Sequence, residues 1–161
     1  MAVALQPKFN VSRYMGIWYN AASIPQPFDV GIAWERAKYD LGKGGKNVIV
    51  ENTGYNADGT MKNNIIGTVK ILSNSALRVE FPTSFLFQKS PERMDPQVAN
   101  YLVHATNYNS YAIVGSYDKS NLYILVRNRP INREFYESLV RYCSDLGYDV
   151  EKLKEGYGAI Y

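Results

Sequence analysis

The sequence contains few of the residues that form disulfides and metal sites. Among its 161 residues there is one cysteine, Cys143, and one histidine, His104. A single cysteine excludes an internal disulfide, and these two residues are too few for a zinc or haem site built from Cys and His ligands. We therefore expect no metal and no cofactor, and a fold that an apolar core stabilises.

Long runs of apolar residues and of one charge are also missing. No stretch is long and apolar enough to span a bilayer, and residues 1–5 are too short for a signal peptide. The sequence predicts a cytoplasmic or peripherally membrane-associated protein, or a secreted or periplasmic mature form without its signal. Lys and Arg number 18 against 15 Asp and Glu, with a net charge of +3. Because no five of these charges are consecutive, we expect no nucleic-acid partner.

Tyrosine is the residue type in excess, with 14 copies against 6 Phe and 2 Trp. Tyrosine rings suit walls that are apolar on one side and wet on the other, but tyrosine also simply favours strands. Both interpretations stay open at this point. The chain length predicts a single domain, residues 1–161.

Apolar residues alternate with polar ones in short segments, which turn residues separate at 42–46, 56–59 and 118–121. A period of two indicates strands, and strands at this rhythm predict an antiparallel meander that closes into a barrel or a sandwich. The alternating sets include Ala37, Tyr39 and Leu41; Val48 and Val50; Ile65, Gly67, Val69 and Ile71; Leu77, Val79 and Phe81; and Tyr101, Val103 and Ala105.

Two loops and one helix interrupt the pattern. Residues 25–31 form a proline-rich loop that we expect to expose Phe28, Val30 and Ile32. Residues 82–96 form a second loop with three consecutive apolar residues, which fold over a pocket, contact a partner or membrane, or pack on the rim. Asn132 is a good N-cap for a helix that runs to about residue 146. The apolar residues of the second loop are Phe85, Leu86 and Phe87, and the predicted packing face of the helix is Phe135, Leu139, Tyr142, Cys143 and Leu146. The last residues, 159–161, are expected to add a short strand.

Three separated motifs occur together in this sequence: Gly16-Ile17-Trp18, Thr106-Asn107-Tyr108, and Arg127 at the end of the last long strand. With all three, the sequence resembles the lipocalin family, and most closely the group of bacterial lipocalin, temperature-induced lipocalin and apolipoprotein D. The resemblance covers residues 9–155. It has departures: Asn107 replaces a common Asp, Asn20 a common Glu, and Tyr123 a common Trp.

The resemblance implies an all-β fold, an eight-stranded antiparallel up-and-down barrel with one C-terminal α-helix packed on its outside. A barrel of this size holds one small ligand. In lipocalins the Trp of the first strand plugs one end, which here implies that Trp18 lies under Arg127 in a cation–π contact. The structural signature residues would be Gly16, Trp18, Thr106, Asn107, Tyr108 and Arg127.

The alternation of side chains along a strand predicts which residues face the ligand. If Arg127 points to the barrel base, Leu125 and Tyr123 point inward above it. Inward positions assigned in this way contain no pair of carboxylates, and His104 falls on the opposite face, toward the surface or the helix. The predicted ligand-binding residues are Tyr123, Leu125, Tyr101, Val103, Tyr39, Ala37, Val79, Phe81 and Phe28.

The leading functional hypothesis is binding, transport or sequestration of a fatty acid, lysophospholipid or similar hydrophobic ligand inside the barrel. It includes a role in membrane maintenance or stress response. One alternative is a protein- or membrane-surface module that makes contact through Phe28 and Phe85-Leu86-Phe87. Another is a lipocalin-fold isomerase, which the missing carboxylate pair disfavours. We expect a monomer or a weak dimer.

Overall fold

Alternating apolar residues form antiparallel strands that close on themselves. The computed structural model describes residues 3–45, 47–81, 95 and 97–161. A short helix α1 precedes the barrel and a longer helix α2 follows its eighth strand. The helices are α1 (Val11–Tyr14) and α2 (Arg133–Asp145), and the strands are β1 (Gly16–Ser23), β2 (Trp34–Leu41), β3 (Val48–Tyr55), β4 (Met61–Ser73), β5 (Ala76–Glu80), β6 (Tyr101–Thr106), β7 (Tyr111–Gly115), β8 (Leu122–Val126) and β9 (Lys154–Glu155).

Strand β1 closes the barrel because it pairs on both of its edges. Its first half pairs with β2, with Trp18 opposite Ala37, and its second half pairs with β8. Strands β2 to β8 pair with their sequence neighbours. The predicted eight-stranded antiparallel up-and-down barrel is confirmed. The short strand β9 pairs with the end of β1, at Ala22 and Ser23, where β2 has already diverged.

The two larger apolar cores lie on the two sides of the barrel wall. The inner core includes Trp18, Tyr39 and Leu125, and the outer core packs the wall against α2. Asn132 caps α2 by accepting hydrogen bonds from the amides of Glu134 and Phe135. The predicted C-terminal helix packed on the outside of the barrel is confirmed.

The buried face of α2 differs in part from the predicted one. Tyr136, Leu139 and Cys143 are the buried residues of the helix, whereas Tyr142 is 37% exposed. The prediction placed Tyr142 on the packing face and omitted Tyr136. The thiol of Cys143 lies outside the barrel, and burial raises its pKa to about 12.

A bulge in β6 changes the predicted facing of one residue, Ala105. Val103 pairs with Val114, but Ala105 pairs with Ile113, which faces α2. The assignment of Ala105 to the same face as Val103 is therefore wrong, because an extra residue reverses the alternation. That residue is His104, which lies on the outer side of the wall, as predicted, but is buried there beside Tyr148 rather than at the surface.

His104 is 4% exposed and joins two distant segments. Its Nε2 lies 2.7 Å from the Tyr148 hydroxyl just beyond α2, and its Nδ1 lies 2.6 Å from the Ala4 carbonyl. Burial lowers the pKa of this imidazole. The histidine therefore holds the N-terminal segment and the region after α2 against the wall.

The loop and terminal predictions were partly right. Val30 is 77% exposed, but Ile32 is buried, and Phe28 is half-buried. In place of a final strand, Ile160 forms a single bridge with Ile131. Phe85, Leu86 and Phe87 lie outside the described residues. Within the described ranges, no helix combines the length and the apolar character that crossing a bilayer requires.

Candidate functional site

The closed end of the barrel is built around Trp18 and Arg127. The indole is fully buried, and the guanidinium carbon of Arg127 lies 3.7 Å from its ring centroid. The same guanidinium donates hydrogen bonds to the backbone carbonyls of Tyr108 at 2.9 Å, Ile17 at 2.8 Å and Arg13 at 3.0 Å. One side chain thus ties together the region before β1, β1 itself and the β6–β7 turn.

Helix α1 lies across the same end, and its first turn is capped. Asn10 accepts a hydrogen bond from the Arg13 amide, and Tyr14 at the end of α1 is buried. The Trp18 indole donates to the Tyr14 carbonyl at 2.8 Å. Gly16 joins α1 to Trp18 with a φ of +97°, and a Cβ there would lie 3.3 Å from Arg127 Nη1. A side chain at position 16 would be strained and crowded.

The β6–β7 turn gives a reason for the asparagine at position 107. Asn107 Oδ1 accepts from the amides of Asn109, Ser110 and Tyr111, and its Nδ2 donates to Ser110 Oγ at 2.6 Å. An amide oxygen accepts as a carboxylate oxygen would, so the change from the family's common Asp keeps the turn.

Above the Trp18 floor lies a cavity of about 190 Å³. Its walls combine aromatic and aliphatic side chains with a smaller number of polar ones, as in ligand pockets generally. The apolar lining residues are Trp18, Pro27, Phe28, Ala37, Tyr39, Val50, Ile65, Val79, Phe81, Tyr101, Tyr123 and Leu125, and the polar and charged ones are Asn20, Gln26, Asp29, Glu35, Arg36, Asn52, Asn100 and Asn121.

Three tyrosine hydroxyls meet near the floor of the cavity. Tyr101 lies 2.6 Å from the Tyr14 hydroxyl and 2.9 Å from the Tyr39 hydroxyl. Burial raises the pKa of Tyr39 to about 12 and those of Tyr14 and Tyr101 well above the usual value of 10. These phenols are therefore neutral, and their hydrogen bonds hold the three tyrosine rings in place relative to one another.

Two carboxyl groups line the cavity, which contradicts the prediction that none would face inward. Glu35 on β2 and Asp29 in the loop after β1 are hydrogen-bonded to each other. Asn20 Nδ2 donates to Glu35 Oε1 at 2.7 Å and to Ser23 Oγ at 2.9 Å. The backbone N–H of Gln26 donates to Asp29 Oδ2 at 2.7 Å. The carboxyl pair is thus held from both sides.

Burial, followed by the charge of Asp29, raises the pKa of Glu35 to about 8. Burial also raises the pKa of Asp29, although hydrogen bonds from Glu35 and Gln26 and the charge of Lys154 oppose this rise. Near neutral pH the pair therefore holds one proton and carries one negative charge, as interacting carboxyls do.

A family model described as a lipocalin-like domain matches residues 9–156. The chain belongs to the lipocalin family. Apolipoprotein D of Macaca fascicularis is 33% identical over 159 residues, which cover 92% of this chain and 77% of that protein. The outer membrane lipoprotein Blc of Citrobacter freundii is 30% identical over 156 residues, 94% of this chain and 80% of that one. These relatives confirm the resemblance stated from the sequence.

The solved structures agree on the fold. Lobster apocrustacyanin A1 superposes on this lipocalin with a TM-score of 0.67 at 18% identity, and the match covers 92% of this chain and 79% of that one. At such low identity the likeness shows the barrel and nothing about its contents.

Most of the residues predicted to face a ligand do line the cavity of this lipocalin. Val103 does not, because it is fully buried in the inner core. The predicted residues that line the cavity are Tyr123, Leu125, Tyr101, Tyr39, Ala37, Val79, Phe81 and Phe28.

The prediction missed the acidic site formed by Asp29, Glu35 and Asn20. The alternation that places Ala37 and Trp18 inward also places two of its residues there. Two residues before Ala37 on β2 stands Glu35, and two residues after Trp18 on β1 stands Asn20. Side chains two apart share a face, so both belong inward. Asp29 carries no such signal, because it lies in a helical turn, Pro27–Asp29, whose direction the sequence pattern does not give.

A second cavity, of about 300 Å³, lies on the far side of the carboxyl pair, where β1 and β2 diverge. Asp29, Glu35 and Asn20 line it together with Lys154 and Glu155 of β9. Lys154 and Glu155 are exposed, and Glu155 is paired with Arg133 of α2 at 2.8 Å. The pair thus stands between the barrel interior and this second cavity.

The raised pKa of Glu35 predicts that this lipocalin loses stability as pH rises. The folded protein keeps a proton that the unfolded chain releases near pH 4.5, so the associated stability is lost as pH rises toward about 8. Between about pH 6 and about pH 9 we expect the free energy of unfolding to fall by roughly 1–2 kcal/mol more than in Glu35→Gln. This is less than the full shift implies, since water in the cavities screens the pair.

Urea unfolding of wild type and Glu35→Gln at several pH values measures this difference. Glu137→Gln, an exposed change on α2, serves as the control and should keep the wild-type slope. Parallel curves for wild type and Glu35→Gln would show that Glu35 does not titrate in this range.

Proposed function

We propose that this lipocalin binds one small hydrophobic molecule inside its barrel and carries or sequesters it. The observation that carries the proposal is the cavity above Trp18, which is closed below by Arg127 and walled by aromatic and aliphatic side chains. The lipocalin family, whose members bind small hydrophobic ligands, supports the same function.

The ligand class that the sequence suggests is a fatty acid, a lysophospholipid or a similar lipid. In this proposal the apolar tail lies between Tyr123, Tyr101 and Leu125, and the polar end points toward Phe28. A role in membrane maintenance or stress response belongs to the proposal, as does peripheral membrane contact. Phe28 is half-buried and lines the cavity, so the candidates for that contact are Phe85, Leu86 and Phe87.

We propose a binding protein rather than an enzyme. A thiol mechanism is disfavoured because Cys143 lies outside the barrel and burial raises its pKa to about 12. Asp29 and Glu35 do supply a carboxyl pair with raised pKa values, a feature of general acid–base sites. Lipocalins are typically binding proteins, which favours a role for this pair in recognition of the ligand.

The test is a titration of the neutral fluorescent dye Nile red into wild type and Tyr123→Ala. Tyr123 lines the cavity, so its truncation should remove about 1–3 kcal/mol of apolar contact, or roughly a ten- to hundredfold loss of affinity. Tyr117→Ala, at a site that is 46% exposed and away from the cavity, is the matched control.

Circular dichroism and thermal melts establish that each variant is folded. The proposal predicts that Tyr117→Ala binds the dye as wild type does. Equal affinities of all three proteins would place the dye outside the barrel, and the surface-module alternative would then replace the carrier.

A further inference from the structure

The polar groups of the cavity wall offer acceptors without donors. Asn20 Oδ1 and Asn121 Oδ1 are buried, and neither of them receives a hydrogen bond from the part of the chain that the structure describes. Both residues line the cavity. A buried acceptor that lacks a donor costs free energy, so these oxygens favour a ligand that supplies N–H or O–H groups.

Asn20 has no freedom to satisfy its own oxygen by turning its amide. Its Nδ2 already donates to Glu35 and Ser23, which leaves Oδ1 directed elsewhere. An ammonium group brings three donors and no acceptor, whereas a carboxylate brings acceptors only. The cavity wall therefore complements the first group and opposes the second.

We propose that Asp29, Glu35 and Asn20 receive the polar end of the ligand, and that they select an amphiphile with a protonated amine over one with a carboxylate. This inference rests on the proposed function, since it concerns a ligand whose apolar part lies in the barrel. Of the classes that the sequence suggests, it disfavours the fatty acid.

The charges around the pair agree with this selection. The pair carries one negative charge near neutral pH and a second above the Glu35 pKa of about 8. Arg36 brings a positive charge to the lining of the same cavity. Its guanidinium lies over the Tyr55 ring, 5.8 Å from the ring centroid. Lys154 and Glu155 face the pair from β9 across the second cavity, where both are exposed.

The experiment displaces Nile red with three amphiphiles that share one tail: decylammonium, decanol and decanoate. At about pH 7 wild type should bind decylammonium at least about tenfold more tightly than decanoate, a modest ratio for a charge in a cavity. The ratio should grow between about pH 7 and about pH 9 as the pair loses its remaining proton, because an alkylamine stays protonated over this range.

Three variants separate the pair from general electrostatics. Glu35→Gln leaves Asp29 as one permanent carboxylate, so it should keep the preference for the amine but lose its growth with pH. Asp29→Asn combined with Glu35→Gln removes both charges and should bring the ratio close to one. Asp40→Asn combined with Glu137→Gln removes two exposed charges and should behave as wild type.

The outcomes distinguish this inference from the proposed function. If wild type binds the dye but takes decanoate as tightly as decylammonium at both pH values, the inference is wrong and the carrier function stands. If folded wild type binds neither the dye nor decylammonium, both are wrong. Should the double variant fail to fold, the pH series of wild type against Glu35→Gln still decides the question.

Discussion

Replacing Arg127 by Ala should lower the free energy of unfolding by about 2–4 kcal/mol. The guanidinium stacks on Trp18 at 3.7 Å and donates to three backbone carbonyls from three segments of the chain. Its removal exposes the indole and leaves the carbonyls of Tyr108, Ile17 and Arg13 without this donor. Denaturant unfolding followed by tryptophan fluorescence measures the loss.

Two further variants test whether the loss of stability is specific to the guanidinium of Arg127. Arg141→Ala, an exposed change on α2, should stay within about 0.5 kcal/mol of wild type. Arg127→Lys keeps the charge but cannot reproduce the planar set of donors, so it should fall between the two. Arg129 is unsuitable as a control, because its guanidinium lies 4.1 Å from the Trp34 ring centroid and bonds to the Tyr157 carbonyl. If Arg127→Ala unfolds with the midpoint of Arg141→Ala, Arg127 does not hold the closed end.

The barrel was predictable because two independent signals agree on it. Alternation places Ala37, Tyr39 and Leu125 inward. The inner core contains Tyr39 and Leu125, and Ala37 packs against it. The Gly16-Ile17-Trp18 and Arg127 motifs identify the end that is closed, since a Trp plug needs a covering group from elsewhere in the chain. The Asn132 cap likewise marks the start of α2.

The sequence failed where local irregularity overrides a period of two. His104 looks like one more strand residue in the sequence, but it is the extra residue of a bulge. Its ring nitrogens are hydrogen-bonded to the Ala4 carbonyl and the Tyr148 hydroxyl. Contacts at such sequence separations leave no mark in the alternation. Ala105 was therefore assigned to the wrong face.

The acidic site was missed for a different reason. The alternation on β2 includes Glu35, but only apolar residues were assigned to the inward face. Glu35 shares the face of Ala37, and a charged residue at the end of a strand resembles a solvent-exposed one in sequence. What buries it is the loop that brings Asp29 and Phe28 over the same end of the cavity. The pairing of Asp29 with Glu35 thus required the structure.

The position of the ligand is the central claim, and a side chain that fills the cavity tests it most directly. Ala37 lines the cavity opposite Trp18 in the β1–β2 register, so Ala37→Trp places an indole where the ligand tail would lie. Ala57→Trp adds the same ring in the exposed turn between β3 and β4 as the control. Both variants are checked for folding by circular dichroism before titration with Nile red.

We expect wild type and Ala57→Trp to bind one dye molecule per chain with equal affinity. Ala37→Trp should lose at least about a hundredfold, because the cavity of about 190 Å³ cannot hold both an indole and a ligand. Val79→Trp, on the opposite wall, should repeat the loss if Ala37→Trp does not fold. A folded Ala37→Trp protein that binds the dye with wild-type affinity would contradict the account, since the ligand would then lie outside the barrel.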